Sequence, residues 1–156
     1  MHNNKGFTLA ELIFALALLV ILMTLALPRF SSALTWIKLE SDARQMAGVL
    51  RMARTEAITG GENTKVVFYV NDSKNPRYLY VNKASYNLSS GVGFASLKPF
   101  NSKFKNQPAC IFMPSGRALQ GGTVTLKAEN KYKYVIVLNN TGRIRVSDTP
   151  PDSWER

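Results

Sequence analysis

The chain has 156 residues, 46% of them hydrophobic and 19% charged, enough for one globular domain and too few for two of ordinary size. Twenty Lys and Arg against ten Asp and Glu leave a net charge of +10, which excludes an acidic disordered tail and points to nucleic acid, anionic lipid or an acidic polymer as partner. Cys110 as the one cysteine excludes an intrachain disulfide and a Cys-rich zinc site, and the position of the one histidine, His2, beside the initiator methionine weighs against a histidine-based triad, so no metal, cofactor or enzymatic chemistry is expected.

The hydrophobicity is concentrated first. Phe7 to Leu27 reads FTLAELIFALALLVILMTLAL, 21 residues with the single charge Glu11. As a helix it would be about 31 Å long, enough to span a bilayer core. Lys5 in the preceding MHNNKG favours a cytoplasmic N-terminus. A cleaved secretory signal is the lesser reading, because the apolar run is long and ends in LALPRF.

Beyond Pro28, Leu39, Ala43, Met46, Leu50, Ala53 and Ala57 recur at spacings of four and three, an apolar stripe on an amphipathic helix. Gly60 and Gly61 end it, glycine being able to take the left-handed conformation at a helix C-terminus. If Pro28 only kinks the chain, one helix runs from about Phe7 to Thr59, roughly 80 Å.

Strands follow. Lys65 to Val70 and Arg77 to Asn82 flank a loop at 71–76. Further strands are expected at Val92 to Leu97, Ala109 to Met113, Thr123 to Ala128, Tyr132 to Leu138 and Arg143 to Val146, with a long loop through most of 84–108. Helix followed by consecutive strands reads as α+β, an antiparallel sheet packed on the amphipathic half-helix.

Lys5-Gly6-Phe7-Thr8-Leu9-Ala10-Glu11-Leu12 resembles the type IV prepilin motif. Leu50 to Ile58, Phe112-Met113-Pro114-Ser115-Gly116-Arg117 and Asn139 to Val146 resemble the GspH/FimT branch of minor pilins and pseudopilins, most like a FimT-type minor pilin. The resemblance implies the type IV pilin fold. It also implies a prepilin peptidase that cuts after Gly6 and methylates Phe7, and a Glu11 that pairs with a neighbouring subunit's amine during assembly with major and minor pilins. The implied organisation is a leader at 1–6, a transmembrane and assembly helix at 7–28, and a periplasmic or extracellular head at 29–156 with a flexible tail from about 147. The protein would rest in the inner membrane before assembly and in the pilus afterwards. Apart from the family, Glu11 has a plain interfacial reading, since a carboxylate near a helix end reaches the headgroups; an apolar helix bundle would instead demand a partner for it.

The charge of the head adds a function. Lys65 to Arg145 holds 13 basic residues against two acidic ones. A type I turn with Gly142 in a G1 bulge would pair Asn139 with Arg143 and Leu138 with Ile144. Ile136, Leu138, Ile144 and Val146 would then share one face, and Lys131, Lys133, Arg143 and Arg145 the other. Resemblance adds that Gly-Arg-x-Arg near the C-terminus of FimT-like pilins is associated with DNA capture in natural transformation. Non-specific contact with the phosphate backbone is therefore expected at Arg143 and Arg145, supported by Lys131, Lys133 and Arg117. The alternative is a structural protein, either a pilus-priming subunit or a GspH-like pseudopilin of type II secretion. Cys110 reads as a buried packing residue, and Asp148, Asp152 and Glu155 as tail charges without catalytic geometry.

Overall fold

The computed structural model describes residues 8–70, 75–100 and 102–151, with backbone alone over 25–30. Gly6, Phe7, the loop at 71–74 and Trp154 lie outside the described residues. One helix, α1 (Leu9–Gly60), crosses two compact units, 1–34 and 35–156, which are taken separately.

In the first unit the backbone stays helical through Pro28. Leu12, Ile13, Phe14, Leu16, Val20 and Ile21 are all more than half exposed. A contiguous apolar surface of this kind is far larger than a soluble monomer leaves to water. Among the described residues, no helix is long and apolar enough to cross a membrane.

The second unit is built on the expected stripe. Leu39, Ala43, Met46, Leu50, Ala53 and Ala57 are all fully buried, and burial of each large member contributes about 1.5–3 kcal/mol. Gly61 closes the helix at φ +68°, as its lack of a Cβ allows. Two antiparallel sheets, where one was expected, cover this stripe. The five-stranded sheet has the order β3-β2-β1-β6-β5. Its strands are β1 (Thr64–Tyr69), β2 (Arg77–Tyr80), β3 (Ala84–Asn87), β5 (Lys103–Phe104) and β6 (Gln107–Phe112). The four-stranded sheet has the order β4-β7-β8-β9, from β4 (Gly93–Lys98), β7 (Gly122–Ala128), β8 (Lys131–Val137) and β9 (Ile144–Ser147). Alternation sends Val66, Phe68, Tyr78, Cys110 and Phe112 of one sheet, and Val124, Leu126, Val135 and Val137 of the other, into one common core. Cys110 is fully buried, and desolvation pushes its thiol pKa up, so it is a packing residue.

The β8-β9 hairpin corrects the expected register by one residue. Val137 pairs with Ile144 and Ile136 with Arg145. Leu138 N donates to Arg143 O at 2.9 Å and Gly142 N to Leu138 O at 2.9 Å, so the loop is the four residues 139–142. The cause lies outside the hairpin. Asn139 O accepts from Ala118 N at 3.2 Å and is drawn to the 113–118 turn, away from a pairing with Arg143. Gly142 does adopt the left-handed conformation, at φ +61°. A Cβ there would stand 2.0 Å from Gly116 O and 2.9 Å from Arg54 Nε. Gly142→Ala should therefore destabilise the head by at least about 1–3 kcal/mol, from the φ requirement alone before the backbone clash is added. Gly60→Ala, with open space at its Cβ, should not destabilise it. Thermal unfolding of the two variants makes the comparison, and equal melting temperatures would contradict it.

Candidate functional site

Three places hold the expected site residues that the structure describes: the start of α1 and, in the second unit, the corner where two turns meet α1 and the cluster around Lys133.

At the helix start Thr8 and Glu11 form a capping box. Thr8 N donates to Glu11 Oε2 at 2.9 Å, Thr8 Oγ1 donates to the same oxygen at 3.2 Å, and Glu11 N donates back to Thr8 Oγ1 at 3.3 Å. Each partner satisfies a backbone donor that the first turn leaves without an intrahelical acceptor. The Thr-x-x-Glu spacing carried this signal in the sequence, and it gives Glu11 a role within its own chain in addition to any role between chains.

The corner is organised by Arg54. Its Nε donates to Gly116 O at 2.8 Å and its Nη2 to Thr141 O at 3.0 Å. One turn earlier on α1, Arg51 Nη2 donates to Ile144 O at 3.3 Å. The planar guanidinium, with donors in a fixed fork, ties two turns that are 25 residues apart in sequence to one helix face. Arg117 Nη2 then donates to Asn140 Oδ1 at 3.3 Å across the same junction. Arg117 and Arg143 are exposed, Arg145 is half-buried, and among the described residues neither Arg117 nor Arg143 is in an ion pair. The three segments that resemble minor pilins, Leu50 to Ile58, Phe112 to Arg117 and Asn139 to Val146, thus meet in space. Arg54 was visible in the sequence only as part of a motif; its two acceptors lie 62 and 87 residues away.

The expected four-cation ribbon is not what the structure builds. A one-residue slip turns one strand's side chains to the opposite face. Arg145 stands opposite Ile136 on the outer face, whereas Lys131 and Lys133 lie on the face of Val135 and Val137, toward α1. Lys131 is also at the far end of β8, about 20 Å along the strand from Val137. Lys133 is only 4% exposed; its ammonium is paired with Glu40 and Asp148 and lies 5.3 Å from the Trp36 ring centre. The chain from 147 onward is therefore anchored at its start by Asp148, where a flexible tail was expected.

Desolvation pulls the Lys133 pKa down, but the hydrogen bonds that its ammonium donates to Asp148 and Glu40 outweigh it and leave the pKa above its ordinary value. The Lys133 hydrogen bond is the main cause that holds Glu40 below its ordinary 4.5, against desolvation and with help from Arg44. A lowered folded pKa stabilises above the ordinary value and ceases to do so as pH falls through the lowered one. Glu40→Gln should therefore cost about 1.5–3 kcal/mol at pH 7, the range for hydrogen bonds to charged groups. That gap should close as pH falls below 4.5. Chemical denaturation at pH 7 and pH 3 measures it, and a gap of the same size at both would contradict the assignment.

Comparison with known proteins agrees with this architecture. A family model described as "Type II transport protein GspH" matches residues 42–142, and one described as "Prokaryotic N-terminal methylation motif" matches residues 1–27. The minor pseudopilin EpsH from the type 2 secretion system of Vibrio cholerae is similar in fold, with a TM-score of 0.55 at 14% identity over 71% of this chain and 97% of that one. So is the type IV minor pilin FimU of Pseudomonas aeruginosa, with a TM-score of 0.53 at 14% identity over 70% of this chain and 87% of that one. No curated protein matches the chain.

Proposed function

The chain belongs to the GspH family and carries an N-terminal methylation motif, which makes it a minor pilin or pseudopilin; from that premise we propose that it is a pilus subunit that binds DNA non-specifically for uptake in natural transformation. The observation that supports this reading most is the basic corner. Arg117 and Arg143 are exposed on two turns that Arg54 holds together, Arg145 follows on β9, and each can meet a phosphate oxygen as a charged donor. Uptake substrates have no fixed sequence, which suits contacts to phosphate with no base readout. Lys131 and Lys133, on the other face, are left out of the contact; Lys133 serves the fold.

Processing by prepilin peptidase after Gly6, methylation at Phe7, residence in the inner membrane as a single span with a cytoplasmic N-terminus, and passage into a pilus complete the proposal. The methylation motif and the exposed apolar side chains of the first helical unit support it. In the membrane the Thr8 box supplies Glu11 with donors of its own chain. In a bundle of apolar helices a buried carboxylate also needs a counter-charge, and the amine at Phe7 of a neighbouring subunit has the right sign. No catalytic step is part of this reading. The second reading is a priming subunit or secretion pseudopilin whose basic corner meets an acidic neighbouring pilin; the GspH match itself favours it.

The first of two measurements separates these readings, and the second tests the assembly role of Glu11. For three phosphate contacts the slope of log K against log salt on duplex DNA should be about −2.7, and each of Arg117→Ala, Arg143→Ala and Arg145→Ala should make it shallower by about 0.9. A triple variant with the wild-type affinity and slope, or a wild type that binds no DNA at low salt, would favour the structural reading. Glu11→Ala should leave the melting temperature of the head unchanged and sharply reduce the protein's recovery in sheared pili. Wild-type recovery would reduce Glu11 to a helix cap.

A further inference from the structure

Resting on that DNA-binding reading, we infer that the outer face of the five-stranded sheet is a track for single-stranded DNA that begins at Arg117. Alternation and register place Lys65, Val67 and Tyr69 of β1 on this face, with Arg77 opposite Tyr69 and Phe104 opposite Gln107. The ring contacts confirm the shared face. Lys65 Nζ is 5.1 Å and Lys105 Nζ 5.8 Å from the Phe104 ring centre, and the Arg77 guanidinium is 5.1 Å from that of Tyr69. The cations here lie on rings, and among the described residues Lys65, Arg77 and Lys105 are in no ion pair; between Thr64 and Ala128 the sole acidic residue in the sequence is Asp72. On other parts of the head several cations are paired with acids, Lys133 with Glu40 and Asp148, Arg44 with Glu40 and Lys83 with Glu56, while Lys127 lies over the Tyr132 ring.

The face continues into the basic corner. Phe112 bridges Ala118, and both are fully buried, so the alternate residues Ile111, Arg117 and Leu119 point outward. Ile111 is the partner of Lys65, which puts Arg117 on the same side as the sheet's cations. β6, the strand that links the Phe104 end to the Arg117 turn, is six residues long, about 20 Å, a span that accommodates about three phosphates of an extended strand.

A cation held only by a ring is poised for exchange. When a phosphate arrives the ammonium moves to it, and the exposed part of the ring is left to stack on the base of that nucleotide. This gives charge contact and stacking at each of two aromatic positions, Phe104 and Tyr69. A duplex keeps its bases inside and gains only the charge part, so the track favours single strands.

The test uses the full chain in neutral detergent, titrated by fluorescence anisotropy with a 12-nucleotide oligo(dT) and with a 12-base-pair duplex. Phe104→Leu should weaken oligo(dT) binding at least about fivefold, the lower end of one lost base stack, and duplex binding less than about twofold. Lys105→Gln, at an exposed position that leaves the core untouched, should weaken both probes, and bromouracil-substituted oligo should crosslink to the peptide that holds Tyr69 or Phe104. Equal losses on both probes for Phe104→Leu, or crosslinks confined to 139–147, would overturn the track while leaving the basic corner in place. If wild type binds neither probe, or if Arg143→Ala with Arg145→Ala changes nothing on the duplex, the DNA-binding reading itself fails and the track with it.

Discussion

The head of this protein depends on one guanidinium. Arg54 bonds the carbonyls of Gly116 and Thr141, and both turns must bring backbone, without side chains in between, to within reach of one helix face. That requirement explains both glycines of the junction. Gly116, at φ +76°, presents its carbonyl, and Gly142, at φ +61°, passes so near that carbonyl that no Cβ fits. Asn139 O is drawn to Ala118 N in the same junction, and the hairpin register follows from it. The register in turn decides which cations face outward. A single long-range hydrogen-bonding group thus sets local turn conformation, strand pairing and the charge pattern of the surface.

Charge is used in two ways within this one domain. Lys133, on the core face, is consumed by structure: Glu40 on α1 and Asp148 after β9 neutralise it and pin the start of the C-terminal segment to the helix. Arg117 and Arg143 at the junction, and Lys65 and Arg77 on the outer sheet face, have no such acidic partner among the described residues. A net charge of +10 therefore overstates the charge available in some places and understates its concentration in others. Ion pairs of the Lys133 kind add little to the field at the surface; unpaired arginines at a turn and cations on rings generate most of it.

The fold was legible where its cause is local. The stripe from Leu39 to Ala57 needs only helical spacing, Gly61 only a positive φ, and the seven expected strands only their apolar and β-branched or aromatic content. β3 and β5, with four and two residues, were not legible, because Ala84–Asn87 and Lys103–Phe104 carry too short a pattern to stand out from a loop. The hairpin register was missed for a different reason: Asn139 answers to Ala118, a partner no hairpin rule contains. Lys133 was assigned to the outer face through the same slip, and its real partner Glu40 sits 93 residues earlier. Of the residues that the proposed function uses, Arg117 and Arg143 were singled out through motif and charge. Arg54, which positions them, has no local signature beyond being a half-buried arginine beside an apolar stripe.

The most direct test of this account is hydrogen exchange on Arg54→Lys, which keeps the charge and loses the fork needed to reach two carbonyls at once. The account predicts that amides of 113–119 and of 138–144 lose protection together, while β1 and β7 keep theirs. Loss in only one of the two turns, or wild-type protection in both, would contradict the claim that one arginine holds the corner.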